Sequence, residues 1–120
     1  MAKVTIYHNS NCNSSNNAVA IAKDLGVDAE IVQYLKTPPD KATLEKIIGM
    51  LQDPVEDLVR KDAKFEKLGL DADTFVGKPK AVVDILLKHK ELMQRPIIVK
   101  GNKAIIGRPK DKTEKFLRTK

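Results

Sequence analysis

The chain has 120 residues and a formal net charge of +6; 42% of its residues are hydrophobic, 32% are charged and 4% are aromatic. This length suits one domain, residues 1–120, with a modest core, and no apolar run approaches the roughly 20 residues of a transmembrane helix. Lysines are interleaved with acidic residues, without a dense basic block or an aromatic stacking platform. We therefore expect neither a nucleic acid nor a membrane among the partners.

A single cysteine, Cys12, limits the redox chemistry of the chain. One thiol cannot form an internal disulfide, so a reaction at Cys12 must end on a thiol from another molecule. No secretory signal precedes the first strand pattern, and we expect a reducing, cytoplasmic location. No cluster of His, Asp or Glu stands at ligand spacing, so the sequence predicts no metal site.

The first third of the chain predicts a parallel β-α-β unit. Residues 4–7 are β-branched or aromatic, as in a strand, and a polar loop from His8 to Ser15 follows. Residues 29–35 predict a second strand, which ends before Pro38. Between them, a helix that ends near Gly26 is indicated by apolar residues at i, i+3, i+4 and i+7: Ala18, Ile21, Ala22 and Leu25.

Residues from about 40 to 90 predict a block of helices. Asp40 is a candidate N-cap for the first, and Asp53 followed by Pro54 predicts the start of a short second one that carries Arg60. A third segment continues helically to Gly69, and another helix opens at Pro79. The predicted helical or inward-facing residues are Leu44, Ile47, Ile48, Leu51, Leu58, Val59, Phe65, Leu68, Val82, Val83, Leu86 and Leu87.

The chain closes with a predicted hairpin and a helix. Residues 96–100 and 103–106 read as antiparallel strands around Gly101 and Asn102, and Pro109 opens the last helix. This order of elements predicts an α/β, thioredoxin-like (glutaredoxin-like) fold with a mixed four-stranded sheet. Its two halves are expected at about 1–36 and 92–120, with a helical lobe inserted at about 40–90.

Cys12 stands where the first strand gives way to the first helix. The free N–H groups and the dipole of a helix N-terminus stabilise an anion, either a thiolate or a bound oxyanion. We expect His8 to add positive charge and the Ser15 hydroxyl to donate to the thiolate. The polar neighbours Asn11 and Asn13 argue against the alternative, a small buried hydrophobic residue.

Five motifs, in order, cover nearly the whole chain: Tyr7-His8-Asn9-x-x-Cys12-x-x-Ser15, Tyr34-Leu35-Lys36-Thr37-Pro38-Pro39, Leu58-Val59-Arg60-Lys61, Gln94-Arg95-Pro96-Ile97 and Ile106-Gly107-Arg108-Pro109. Together they resemble the signature of the glutaredoxin-coupled arsenate reductase family, which is ArsC-type and belongs to the thioredoxin-like superfamily. The resemblance implies a thioredoxin-like fold with an inserted helical lobe. It also implies a cis peptide between Arg95 and Pro96.

The resemblance further implies that Cys12 is the catalytic residue and that Arg60, Arg95 and Arg108 bind the substrate oxyanion. Arginine forks match tetrahedral oxyanions and stay charged, although an isolated arginine more often forms a surface salt bridge. The implied reaction reduces arsenate to arsenite through the Cys12 thiolate. The resemblance also implies that glutathione is a co-substrate rather than a bound cofactor and that glutaredoxin is the partner that restores Cys12. We expect the protein to be a monomer.

Two positions depart from the family pattern. Asn16 stands where the family usually has arginine, and Ser10 stands where it usually has proline. One alternative is therefore a glutathione-dependent thiol oxidoreductase with another substrate on the same fold. A second is an Spx-type transcriptional regulator, but those proteins typically have a Cys-x-x-Cys switch, whereas this chain has Cys12-x-x-Ser15.

Overall fold

A single mixed sheet forms the centre of the protein, which a computed structural model describes for residues 4–107 and 110–118. The sheet has the order β2-β1-β3-β4, with β1 parallel to β2 and antiparallel to β3, and β3 and β4 form a hairpin. This confirms the predicted mixed four-stranded sheet. The strands are β1 (Val4–His8), β2 (Ala29–Gln33), β3 (Ile97–Lys100) and β4 (Lys103–Ile106).

Helices lie on both sides of the sheet. In the described residues they are α1 (Asn13–Asp24), α2 (Lys41–Met50), α3 (Ala63–Lys67), α4 (Pro79–Lys88) and α5 (Lys110–Arg118), with 3-10 helices at Val55–Leu58, Ala72–Thr74 and Lys90–Leu92. Helices α1 and α5 contact each other, as do α2 and α4. None of the helices in these described stretches is both long and apolar enough to cross a membrane.

Two clusters of buried apolar side chains cover the two faces of the sheet. Neighbouring residues of a strand point to opposite faces, so Ile97 and Ile98 belong to different clusters. The first cluster, on the side of the inserted helices, includes Tyr7, Tyr34, Leu44, Val82, Leu86, Met93, Ile97 and Ile106. The second, beneath α1 and α5, includes Val4, Ile6, Ala18, Ile21, Ile98, Ile105 and Leu117.

The inserted segment differs from its prediction where long-range contacts replace local ones. The short second helix ends at Leu58, and Val59 instead forms an antiparallel bridge with Met93. The N–H of Arg60 donates to the Leu92 carbonyl at 2.7 Å, so Arg60 lies on an extended segment and the prediction that it is helical was wrong. Leu87 is 46% exposed, and Ile85 faces the core in its place.

Asp53 also differs from its predicted role as an N-cap. Its carboxylate accepts from the Ile106 N–H at 2.8 Å and pairs with Lys112 of α5, while Pro54 takes the N-cap position. Asp53 therefore ties the inserted segment to the end of β4 and to the last helix. The capping role predicted for Asp40 is confirmed, since its side chain accepts from the Thr43 N–H at 2.8 Å.

Gly107 lies at a point of close approach between elements. Its N–H donates to the Pro96 carbonyl at 2.8 Å, and a Cβ added there would lie 2.7–2.8 Å from Thr113 Oγ1, Ile98 Cδ1 and Pro96 Cγ. We expect Gly107→Ala to lower the free energy of unfolding by about 2 kcal/mol, because overpacking forces these neighbours apart. Urea unfolding measures the change.

Gly49→Ala is the matched control for Gly107→Ala. Gly49 lies within α2, and nothing stands within 4 Å of the position of its added Cβ. Alanine is a better helix former than glycine, so we expect this control to gain about 0.5–1 kcal/mol. Equal unfolding midpoints for Gly107→Ala and the wild type would contradict the prediction, because they would show that the neighbours of the added Cβ move aside without a loss of stability.

Candidate active site

Cys12 occupies the N-cap of α1. Strand β1 ends at His8, and the chain turns so that the Cys12 N–H donates to the Asn9 carbonyl at 3.0 Å. Cys12 has extended backbone angles, φ −114° and ψ 122°, and its carbonyl accepts from the Asn16 N–H at 2.9 Å. The strand-to-helix junction expected from the sequence is present, and the Cys12 residue lies at the positive end of the α1 dipole.

The Cys12 side chain is buried, with 6% of its surface exposed. The expectation that its polar neighbours would keep it from burial was wrong. Asn11 and Asn13 are exposed, whereas Cys12 between them points inward, as successive side chains do on an extended segment. Cys12 nevertheless belongs to neither apolar cluster of the described residues.

Arg95 joins Cys12 to a buried tyrosine. The Arg95 guanidinium lies beside the Cys12 and Tyr34 side chains, and Arg95 precedes a cis peptide to Pro96. Burial disfavours the charge of Arg95, but the interactions with these two groups outweigh it and raise the pKa of Arg95. A cation held against the sulfur favours the thiolate form.

A second set of hydrogen bonds connects His8 to the start of α1. His8 Nδ1 lies 2.6 Å from Ser15 Oγ, and the Asn9 N–H donates to the same oxygen at 2.9 Å. Ser15 is fully buried and His8 is 9% exposed. Since Ser15 Oγ accepts from Asn9, its own proton is available to a neutral His8 ring. This arrangement holds the loop that carries Cys12.

Burial lowers the pKa of His8, and a hydrogen bond with Ser15 offsets only part of the effect. This direction favours a neutral ring near pH 7 and argues against the positive charge expected from the sequence. It leaves His8 and Ser15 as groups that orient the loop around Cys12.

The lowered pKa of His8 predicts a pH dependence of stability. In the unfolded chain the pKa of His8 is near 6.5, so the unfolded chain takes up this proton at a higher pH than the folded chain. The contribution of neutral His8 to the stability of the folded state is therefore complete above pH 6.5. It is lost as the pH falls through the folded-state pKa. We expect the melting temperature to fall over this range in the wild type and to fall less in His8→Gln. Parallel curves for the two proteins would contradict the assignment of neutral His8.

The Arg60 side chain and backbone have other partners than Cys12. The Arg60 guanidinium forms an ion pair with Asp62 at 3.1 Å, and its backbone is held to Leu92. Arg108 lies outside the described residues, although Gly107 before it is bonded to the Pro96 carbonyl. Among the arginines that the structure describes, Arg95 is the one brought to the cysteine.

Two further contacts were not expected from the sequence. Asn16 Nδ2 donates to the Ser10 carbonyl at 3.0 Å, so the two departures from the family pattern bond to each other. The sequence analysis placed Tyr34 in a strand and a motif without a partner, whereas in the structure Tyr34 lies beside Arg95. An aromatic residue within a predicted strand was the sole local signal for Tyr34, because Arg95 lies about sixty residues away in the sequence.

Comparison with known proteins places this site in a family. The sequence model of the ArsC family matches residues 7–116. The chain is 40% identical to "Uncharacterized protein YfgD" of Escherichia coli K12, over 89% of this chain and 90% of that protein. It is 35% identical to an arsenate reductase of Neisseria meningitidis serogroup A, over 98% and 100%.

Solved structures agree with the sequence comparison. An arsenate reductase from Vibrio cholerae superposes with a TM-score of 0.78 and 27% identity, covering 94% of this chain and 96% of that one. The match of the family model runs from within β1 to within α5 and so includes the inserted helices. The chain therefore belongs to the ArsC family.

Proposed function

We propose that the protein is an arsenate reductase in which Cys12 is the catalytic nucleophile. The observation that carries the proposal is the position of Cys12 at the N-terminus of α1, with the Arg95 guanidinium beside it. A fixed cation beside a thiolate offsets the repulsion between that thiolate and an incoming oxyanion. Relatives named arsenate reductase, which share 35% and 27% identity with this chain, support arsenate as the oxyanion.

The first step is attack of the Cys12 thiolate on arsenic. A sulfur–arsenic bond forms, and one arsenate oxygen leaves as water after it is protonated. Arg95 neutralises the oxyanion, and Arg60 and Arg108 complete the proposed binding set. Arg60 must exchange its ion pair with Asp62 for the substrate, which costs little because exposed ion pairs are weak; these two side chains are 24% and 31% exposed.

Glutathione then supplies the electrons. Its thiolate attacks the Cys12 sulfur, the sulfur–arsenic bond breaks, and the electron pair of that bond remains on arsenic, which leaves as arsenite. Cys12 and glutathione are joined in a mixed disulfide, and a glutaredoxin thiolate attacks the glutathione sulfur and releases the Cys12 thiolate. The single cysteine supports this coupling, because thioredoxin-coupled reductases use further cysteines of their own chain.

The test is arsenate-dependent oxidation of NADPH with glutathione, glutaredoxin and glutathione reductase. A parallel assay replaces them with thioredoxin and thioredoxin reductase. We expect turnover in the first system and none in the second. Turnover only with thioredoxin would overturn the proposed reductant, and no arsenate-dependent rate in either system would overturn the proposed substrate.

A second candidate is a glutathione-dependent thiol oxidoreductase that acts on another substrate. The ion pair of Arg60 with Asp62 favours it, since this arginine then serves the protein rather than an oxyanion. Under this reading, Cys12 still accepts glutathione but arsenate does not stimulate NADPH oxidation. Two measurements distinguish the candidates: mass spectrometry of Cys12 after incubation with glutathione disulfide, and the arsenate assay. Glutathionylation of Cys12 without an arsenate-dependent rate supports the second candidate.

A further inference from the structure

The two carboxylate oxygens of Asp62 have different partners. Oδ1 accepts hydrogen bonds from the N–H groups of Lys64, at 3.1 Å, and Phe65, at 3.2 Å, and so caps α3. Oδ2 lies 3.1 Å from Nη1 of Arg60. Because the cap already holds the Asp62 side chain in one rotamer, its pairing with Arg60 costs little further conformational entropy.

The backbone of Arg60 is fixed as well. The Arg60 N–H donates to the Leu92 carbonyl and the Gln94 N–H donates to the Leu58 carbonyl, both at 2.7 Å. These hydrogen bonds hold the segment of Arg60 antiparallel to the residues that lead into Arg95. The Arg60 side chain therefore extends from a fixed backbone to a fixed carboxylate, and the ion pair is ordered at both ends.

We propose that Asp62 is an internal competitor of the substrate: it occupies the Arg60 guanidinium in the unliganded protein and lowers the affinity of the site for tetrahedral oxyanions. This inference rests on the proposed function, which places Arg60 in the oxyanion-binding set. A carboxylate and an oxyanion both bind a guanidinium through charge-assisted hydrogen bonds, so one displaces the other. The exchange releases Oδ2 alone, because Oδ1 continues to cap α3, and Asp62 stays in place to pair with Arg60 again.

Asp62→Asn removes the charge and keeps the cap of α3, since asparagine and aspartate are equally good N-caps. Inorganic phosphate is the probe, because it has the shape and charge of arsenate and a thiol does not reduce it. In calorimetric titrations we expect the dissociation constant of phosphate to be about five-fold lower than in the wild type, the upper range for an exposed ion pair. In the arsenate assay KM should fall by the same factor with kcat nearly unchanged, because the ion pair is already broken in the bound state.

Asp71→Asn is the matched control. Asp71 caps the 3-10 helix Ala72–Thr74, where its side chain accepts from the Asp73 N–H at 3.0 Å. The exchange removes the same charge from the inserted segment and leaves the ion pair between Arg60 and Asp62 intact, so phosphate should bind as in the wild type. An equal gain in both variants would show a general effect of net charge and would overturn the proposal. Unchanged, weaker or undetectable phosphate binding by Asp62→Asn would also overturn it.

A double-mutant cycle tests whether Asp62 acts through Arg60. The gain in phosphate affinity caused by Asp62→Asn should disappear when Arg60 is already glutamine, and the same gain in both backgrounds would overturn the proposal. Failure of the proposed function has a different result. If the wild type binds phosphate without reducing arsenate, the titrations still measure the competition by Asp62. If arsenate is reduced but phosphate binds equally to the wild type and Asp62→Asn, the competition alone is overturned.

Discussion

Replacing Cys12 by serine should abolish arsenate reduction. The hydroxyl of serine is not ionised at neutral pH and cannot form the mixed disulfide that returns the electrons. We expect the arsenate-dependent rate of NADPH oxidation to fall on the order of a thousand-fold or more, to the background of the coupled assay. Mass spectrometry of the wild type after incubation with arsenate and glutathione should show one glutathione on Cys12, and Cys12→Ser should show none.

Asn17→Ser provides the control for Cys12→Ser. Asn17 is an exposed residue of α1, and serine there leaves the loop and the cysteine intact. This control should keep the wild-type rate, and circular dichroism should show that both variants are folded. Reduction at the wild-type rate by folded Cys12→Ser would contradict the proposed nucleophile and remove the mechanism with it.

The second large effect is expected at Arg95. Arg95→Lys keeps one positive charge beside Cys12 but loses the planar fork that matches an oxyanion. We expect kcat/KM for arsenate to fall about 100-fold, the size of an interaction between a charged hydrogen-bond donor and an anion. The midpoint of the pH profile for alkylation of Cys12 by iodoacetamide should rise in the same variant.

Arg118→Lys is the comparison for Arg95→Lys. Arg118 lies on the last turn of α5, its side chain is 63% exposed, and its ion pair is with Glu114. Exchange of this surface arginine should leave kcat/KM within about two-fold, because exposed ion pairs contribute little. If Arg95→Lys and Arg118→Lys behave alike, Arg95 has no special part in oxyanion binding.

Residues that depend on local rules were predictable. The spacing of Ala18 and Ile21 in α1 and the capping by Asp40 each follow from a few neighbouring positions. Pro79 likewise begins α4. The position of Cys12 at the N-terminus of a helix belongs to this group, since a strand pattern, a polar loop and a helical stripe suffice to locate it.

Residues whose environment is set by distant segments were not predictable in the same way. Arg60 has the sequence context of a helix, but its backbone bonds to Leu92 and makes the segment extended. Asp53 has the context of a helix cap, but it bonds instead to Ile106 and Lys112. In each case a long-range contact competes with a local one of similar free energy, so tertiary structure decides the outcome.

The sequence by itself therefore determined the order of the elements, the family and the place of Cys12 at the start of α1, because these depend on periodicity, caps and motifs along the chain. Only the tertiary structure decided that Cys12 is buried and that Arg95 is the described arginine at its side chain. It also brought Tyr34, from the end of β2, to the segment before β3. Burial and hydrogen bonding between such distant residues depend on how the sheet and the inserted helices pack, and no local pattern encodes that packing.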